Sequence, residues 1–279
     1  MARSRSVFPF RGRGSPAGVA LATLLATLLP GLAGGPAQAQ LEPIVPPPTE
    51  AVELELVLAV DTSSSVSPEE FDLQMRGFAG AFRDPTVIAA IGATGAGGIA
   101  VSMIQWSDNR RQEVAVDWQR LTDEASVTGF ADAIDATPRF LDGGGTAIGG
   151  AIDFALAQIN RNAFDGRRKV IDISGDGRAN QGASPDGLRD LAVLQGVTVN
   201  GLAILNEDSS VAGYYRNNVI GGEGAFVITA NDYESFQLAI LEKLIKEIGG
   251  VPVAGLEPEG QDHKRTAPGP ELARFQPRR

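Results

Sequence analysis

Four short apolar runs, Leu54–Val60, Ile99–Trp106, Lys169–Ile173 and Val197–Leu205, lie far apart along the chain with helix-period segments between them. That alternation restricts the fold more than any other feature. Ser67-Pro68-Glu69-Glu70 offers an N-cap, a proline at the first helical position and a capping-box glutamate. Phe71, Met75, Phe78 and Phe82 then follow on one helical face. Ala147–Ile159 places Ile148, Ile152, Ala155 and Ile159 on one stripe, and Ser184-Pro185 opens a helix that stops at Gly196. Ala225–Thr229 reads as a further strand. Asn231 to Glu234 caps a last helix that turns Phe236, Ile240, Leu244 and Ile248 inward and ends at Gly249-Gly250. Glu113–Trp118 pairs with Ile99–Trp106 as a neighbouring strand. Short apolar strands separated by amphipathic helices predict an α/β fold: a Rossmann-like, doubly wound, mostly parallel sheet flanked by helices.

The ends read differently. Arg3, Arg5, Arg11 and Arg13 precede an apolar run, Ala17–Leu29, and Ala37-Gln38-Ala39 supplies a small-x-small cleavage pattern. Residues 1–39 are therefore expected to be a signal peptide, cut between Ala39 and Gln40. The apolar run is about 13 residues, short of the roughly 20 a bilayer needs, which disfavours a membrane anchor. Residues 40–50 form a Pro-rich spacer, residues 51–249 the domain, and residues 250–279, with five prolines and no periodicity, a disordered tail. The product is expected to be periplasmic or secreted, without stable membrane insertion.

Composition narrows the chemistry. The chain has 279 residues with 24 Lys+Arg against 34 Asp+Glu, a formal charge of −10, which becomes −14 once the four leader arginines are removed. Such a chain is a poor partner for nucleic acid or anionic lipid. With no cysteine and one histidine, His263 in the tail, it has no disulfides, no Cys- or His-rich zinc site and no thiol nucleophile.

In a doubly wound sheet, ligands bind beyond the carboxyl ends of the strands, so the polar residues directly after each strand matter. The first strand runs into Asp61-Thr62-Ser63-Ser64-Ser65. In an extended or gently turning segment alternate side chains point the same way, so Asp61, Ser63 and Ser65 can converge. Gly143-Gly144-Gly145-Thr146 opens the helix at 147 and places a hydroxyl at its start. Lys169–Ile173 runs into Ser174-Gly175-Asp176-Gly177, a second carboxylate past a strand end. Three hydroxyls and two carboxylates suit a small hard divalent cation, Mg²⁺ first, with Mn²⁺ or Ca²⁺ as alternatives. Neutral hydroxyl ligands leave such an ion short of negative charge, which an Asp or Glu of a protein partner would supply.

The set Asp61-x-Ser63-x-Ser65, Thr146 and Asp176-Gly177 resembles the metal-ion-dependent adhesion site (MIDAS) of von Willebrand factor type A (vWA) domains. The resemblance spans roughly residues 52–249. The stretches Leu141–Ile148 and Tyr214–Gly222 look like a bacterial, functionally unassigned branch of that superfamily. It implies Ser63, Ser65 and Thr146 as direct metal ligands, with Asp61 and Asp176 ligating directly or through water. A small Gly-rich insertion, Gly92–Gly98, departs from the pattern.

Other readings are weaker. Asp172-x-Ser174-x-Asp176-Gly177 imitates the front of an EF-hand loop, but its twelfth position is Ala183 and it follows a strand. Gly92–Gly98 precedes a strand, whereas a dinucleotide loop follows one, so a flexible connector is expected. An aspartyl-phosphate site at Asp61 would want a carboxylate where Ser63 stands. Asp172, Trp106 and Trp118 read as structural residues and His263 as solvated. The expected function is a non-enzymatic, cation-dependent protein-binding module with no catalytic residues. The alternatives are a metal-assisted hydrolase or phosphoryl transferase, for which the domain offers no histidine base, and a metal-free scaffold.

Overall fold

The computed structural model describes residues 49–249, Glu207 excepted. The expected signal peptide, the spacer up to residue 48 and the expected tail lie outside the described residues. Strand β1 spans Glu50–Asp61, so the last residue assigned to the spacer already pairs in the sheet. Helices α1 (Pro68–Phe82) and α2 (Pro85–Gly92) lead to β2 (Ile99–Trp106) and β3 (Gln112–Leu121). Helices α3 (Glu124–Asp135) and α4 (Ile148–Ile159) precede β4 (Phe164–Gly175), α5 (Pro185–Leu194) and β5 (Val197–Ile204). A short helix α6 (Val211–Tyr214), a π-helical turn (Tyr215–Val219), β6 (Val227–Ala230) and α7 (Phe236–Gly249) complete the described domain.

The six strands lie in the order β3-β2-β1-β4-β5-β6. All pairs are parallel except β2–β3, which are antiparallel and joined by a short connection. The fold is therefore the expected doubly wound α/β sheet. From β1 the chain winds toward β2, and from β4 it winds the other way toward β5. The carboxyl ends of β1 and β4 therefore flank the point where strand order reverses.

Continuous burial marks the central strands, as a sheet covered on both faces requires. Leu54, Leu56, Leu58 and Val60 of β1 face one core with α1, α3 and α7, while Val57 and Ala59 face a second with α4, α5 and the π-turn. In the first core Phe78 of α1 meets Phe236 of α7 edge to face at 5.2 Å, and Phe82 meets Phe130 of α3 at 5.0 Å. Ser67 caps α1 in the expected capping box with Glu70. Trp106 lies fully buried in the second core, and Trp118 packs its ring against Phe164.

Two departures have physical causes. Helix α7 starts at Phe236, later than the expected Asn231–Glu234 cap, because the Asp232 carboxylate takes the Ser235 N–H at 2.7 Å and closes a separate turn first. Gly92 ends α2 rather than opening a connector, and Gly95 and Gly98, both at positive φ, shape the tight turn into β2. Asp172, read from the sequence as structural, points into the first core and pairs with Lys243 of α7 at 2.8 Å. Lys243 also bonds Glu247, to which Asn200 donates at 2.9 Å. The residues that imitate an EF-hand front thus belong to β4 up to Gly175.

Candidate metal centre

Beyond β1 the chain crosses the carboxyl edge of the sheet as Thr62–Val66 before Ser67 caps α1. Its backbone is fixed from several sides. Both the Thr62 N–H and its hydroxyl donate to the Trp106 carbonyl at 2.9 Å, and Gln74 of α1 donates to the Asp61 carbonyl at 3.2 Å. The Arg139 guanidinium donates to the carbonyls of Thr62 and Ser63 at 2.9 and 3.2 Å. Inside the turn the Ser63 N–H donates to Asp61 Oδ1 at 2.7 Å, which fixes the carboxylate against its own loop.

The loop is tied to the two other segments. Ser63 Oγ and Ser65 Oγ stand 3.1 Å apart, and the Ser65 hydroxyl donates to Asp176 Oδ1 at 2.7 Å. The Tyr233 hydroxyl donates to Asp176 Oδ2 at 3.0 Å. Ser64, pointing the other way, exchanges two bonds with Gly144: its N–H donates to the Gly144 carbonyl at 3.0 Å and its Oγ accepts the Gly144 N–H at 2.9 Å. Gly143 and Gly144 hold φ of +62° and +110°, a backbone path that side-chain-bearing residues rarely take.

Thr146 is not the cap of α4. The helix starts at Ile148 after Ala147, without a side-chain cap. Instead Asn180, in the loop after β4, clamps Thr146: its Oδ1 accepts the Thr146 N–H at 2.9 Å and its own N–H donates to the Thr146 carbonyl at 3.0 Å. The Thr146 hydroxyl sits 3.5 Å from Asn180 Nδ2 and 3.8 Å from where a Cβ on Gly177 would lie. The three segments therefore lock pairwise, and all five expected residues stand at one end of the sheet. Asp61, Ser63, Thr146 and Asp176 are buried, while Ser65 is exposed at the mouth.

Charge and donor chemistry fit a hard cation. Asp61 is fully buried, and Oδ2 has no hydrogen-bond partner among the described residues. Burial, followed by the negative charge of Asp176, pushes its carboxyl up to about 7. Cis ligands of an octahedral ion at ~2.1 Å are about 3 Å apart, close to the 3.1 Å separating the two serine oxygens. A hydroxyl can give its proton to Asp176 and still turn a lone pair to a cation, so the Ser65 bond does not compete with ligation. Among the described residues no cluster of three or more His, Cys, Asp or Glu side chains suits a metal, so a cation here would rest on hydroxyls as much as on acids. Lys243, the buried cation, is engaged by Asp172 and Glu247.

Four supporting residues escape the reading of the sequence. Asn180 lies four positions after Asp176 in the same post-strand loop and follows from inspecting every polar residue there. Tyr233, Arg139 and Gln74 reach the site across the fold, and nothing in their local sequence marks them.

The six-stranded order with an antiparallel β3, and three loops meeting at its reversal point, is the α/β fold of von Willebrand factor type A domains. Residues 51–252 match the family described as "Protein of unknown function (DUF1194)", and the chain belongs to that family. The structure is similar to proximal thread matrix protein 1 from the mussel byssus: 18% identity, TM-score 0.54, with 72% of this chain and 49% of that one covered. A second structure of that protein, with a zinc-occupied MIDAS motif, gives 18% identity and a TM-score of 0.50 over 72% and 49% of the two chains. The pilus adhesin SpaC from Lactobacillus rhamnosus GG gives 16% identity and a TM-score of 0.50, over 71% of this chain and 30% of that one. The chain thus spans about half the length of the byssus protein. These likenesses show the fold. No curated protein matches the sequence.

Proposed function

We propose that the protein is an exported, divalent-cation-dependent protein-binding module of adhesion type. In this reading Ser63, Ser65 and Thr146 ligate the ion directly, Asp61 and Asp176 hold it directly or through water, and a partner's Asp or Glu completes it. Mg²⁺ is the first candidate, Mn²⁺ and Ca²⁺ the alternatives. One observation carries the reading: the Ser63–Ser65–Asp176 chain of oxygens, 3.1 and 2.7 Å apart, beside the unpartnered, fully buried Oδ2 of Asp61. The ion would supply a positive charge that lets a strongly acidic protein take a carboxylate that repulsion otherwise keeps away. Residues 1–39 would direct export and be removed before Gln40. The occurrence of this fold in a pilus adhesin and a byssus matrix protein agrees with an extracellular binding role.

Calorimetric titration with MgCl₂ and MnCl₂ tests the site, with Asp61→Ala and Asp176→Ala beside the wild type. Binding should be present in the wild type and lost in both variants, while their far-ultraviolet circular dichroism stays unchanged. Pull-downs from the envelope fraction with and without EDTA then test the partner, whose capture should need both the cation and Asp61. Capture that EDTA leaves unchanged would overturn the reading.

A further inference from the structure

Two fully buried polar atoms beside the candidate centre have no partner among the described residues: Asp61 Oδ2 and the Tyr215 hydroxyl. Both point to one place. A Cβ on Gly175, at the end of β4, would lie 2.8 Å from each of them. The slot holding the tyrosine is cut by missing side chains. A Cβ on Gly201 of β5 would meet Tyr215 Cδ1 at 2.6 Å, so glycine on two adjacent strands lets the ring reach under the site. The phenol arrives from the π-helical turn Tyr215–Val219, where the Ile220 N–H donates to the Tyr215 carbonyl at 3.0 Å. Such single π-turns are frequent at functional sites.

The second aspartate shows what such a phenol does. Asp176 gives Oδ1 to Ser65 and Oδ2 to the hydroxyl of buried Tyr233. Asp61 Oδ1 accepts the Ser63 N–H, and Oδ2 lies beside the same point over Gly175 as the Tyr215 hydroxyl. Each carboxylate has one oxygen on the serine loop and the other toward a buried tyrosine. Tyr215 stays protonated, because burial and then the charges of Asp61 and Asp176 hold its phenol well above the ordinary value. In contact with a carboxylate it therefore donates.

We propose that Tyr215 is the positioning residue of Asp61. Its hydroxyl donates toward Asp61 Oδ2 over one buried water and holds the carboxylate oriented toward the cation. The proposal rests on the cation-binding reading. A hydrogen bond that orients a ligand from behind typically supports metal affinity by 10–100-fold.

The test uses the mature protein and Tyr215→Phe, which removes only an oxygen, with Tyr214→Phe as control. Calorimetry with MnCl₂ should show affinity lowered by about 10-fold in Tyr215→Phe and unchanged in Tyr214→Phe. In cation-free protein, proton NMR should show a slowly exchanging Tyr215 hydroxyl whose resonance moves in Asp61→Asn. Wild-type affinity in Tyr215→Phe, or a hydroxyl resonance that ignores Asp61→Asn, overturns the proposal. If the wild type binds no Mn²⁺ yet the resonance moves, the pairing stands and the cation-binding reading falls. If the wild type binds and Tyr215→Phe binds equally, the cation-binding reading stands and the positioning role falls.

Discussion

Asn180 is exposed, yet it fixes a buried threonine through both backbone groups and reaches its hydroxyl. Asn180→Ala removes the side-chain part of that clamp. Calorimetric cation affinity should fall by about 10-fold, while chemical unfolding loses only about 1 kcal/mol, the usual net value of one hydrogen bond. A loss confined to stability would show that Thr146 needs no clamp. At this scale, readability follows range. Asp61, Ser63 and Ser65 are visible because a two-residue period puts them on one side of a short segment, and Asp176 because it follows a strand end. Tyr233, Arg139 and Tyr215 reach the site only after folding, and their neighbours in sequence carry no sign of it.

Among the elements, α7 closes the first core. Phe236 is fully buried against Phe78, and Ile240, Leu244 and Ile248 continue the same face. Phe236→Ala should cost about 3–5 kcal/mol in urea unfolding. It should also weaken cation binding, because Tyr233 and its bond to Asp176 stand three residues before it. The helices missed from sequence fail for different reasons. Helix α2 is eight residues and largely apolar all round, so no period separates it from a buried strand. Helix α3 carries a readable stripe, Val127, Phe130, Ala131 and Ile134, with Asp123 as its cap. Its Ser126, Thr128 and Gly129 are poor helix formers, so local propensity does not reinforce that stripe. The strand pattern is clearest where burial is two-sided, since a covered strand must be apolar throughout.

Across the whole domain the balance of buried charge predicts a pH dependence away from the candidate centre. Asp172, Glu247 and Lys243 share one buried cluster that carries an excess carboxylate. Burial, with Glu247 adding to it and Lys243 opposing, pushes the Asp172 carboxyl up to about 7. An unfolded Asp titrates near ~3.9, so between these values the folded protein holds more protons than the unfolded chain. The Asp172 contribution to stability is therefore full below about pH 4 and is lost as pH rises through about 7. In EDTA, the wild type should lose more melting temperature between pH 5 and pH 8 than Asp172→Asn. Carboxyls outside this cluster cancel in that difference, and parallel curves would refute the assignment.

Helix α7 runs back against the parallel strands, and Arg168, near the start of β4, donates to its last carbonyls at Glu247 and Ile248 at 2.6 and 2.8 Å. Strand β1 enters at that same pole, at Glu50. Both connections of the domain therefore leave from its base. A tether on either side would hold Ser65 and its surroundings outward, facing whatever approaches from the far side.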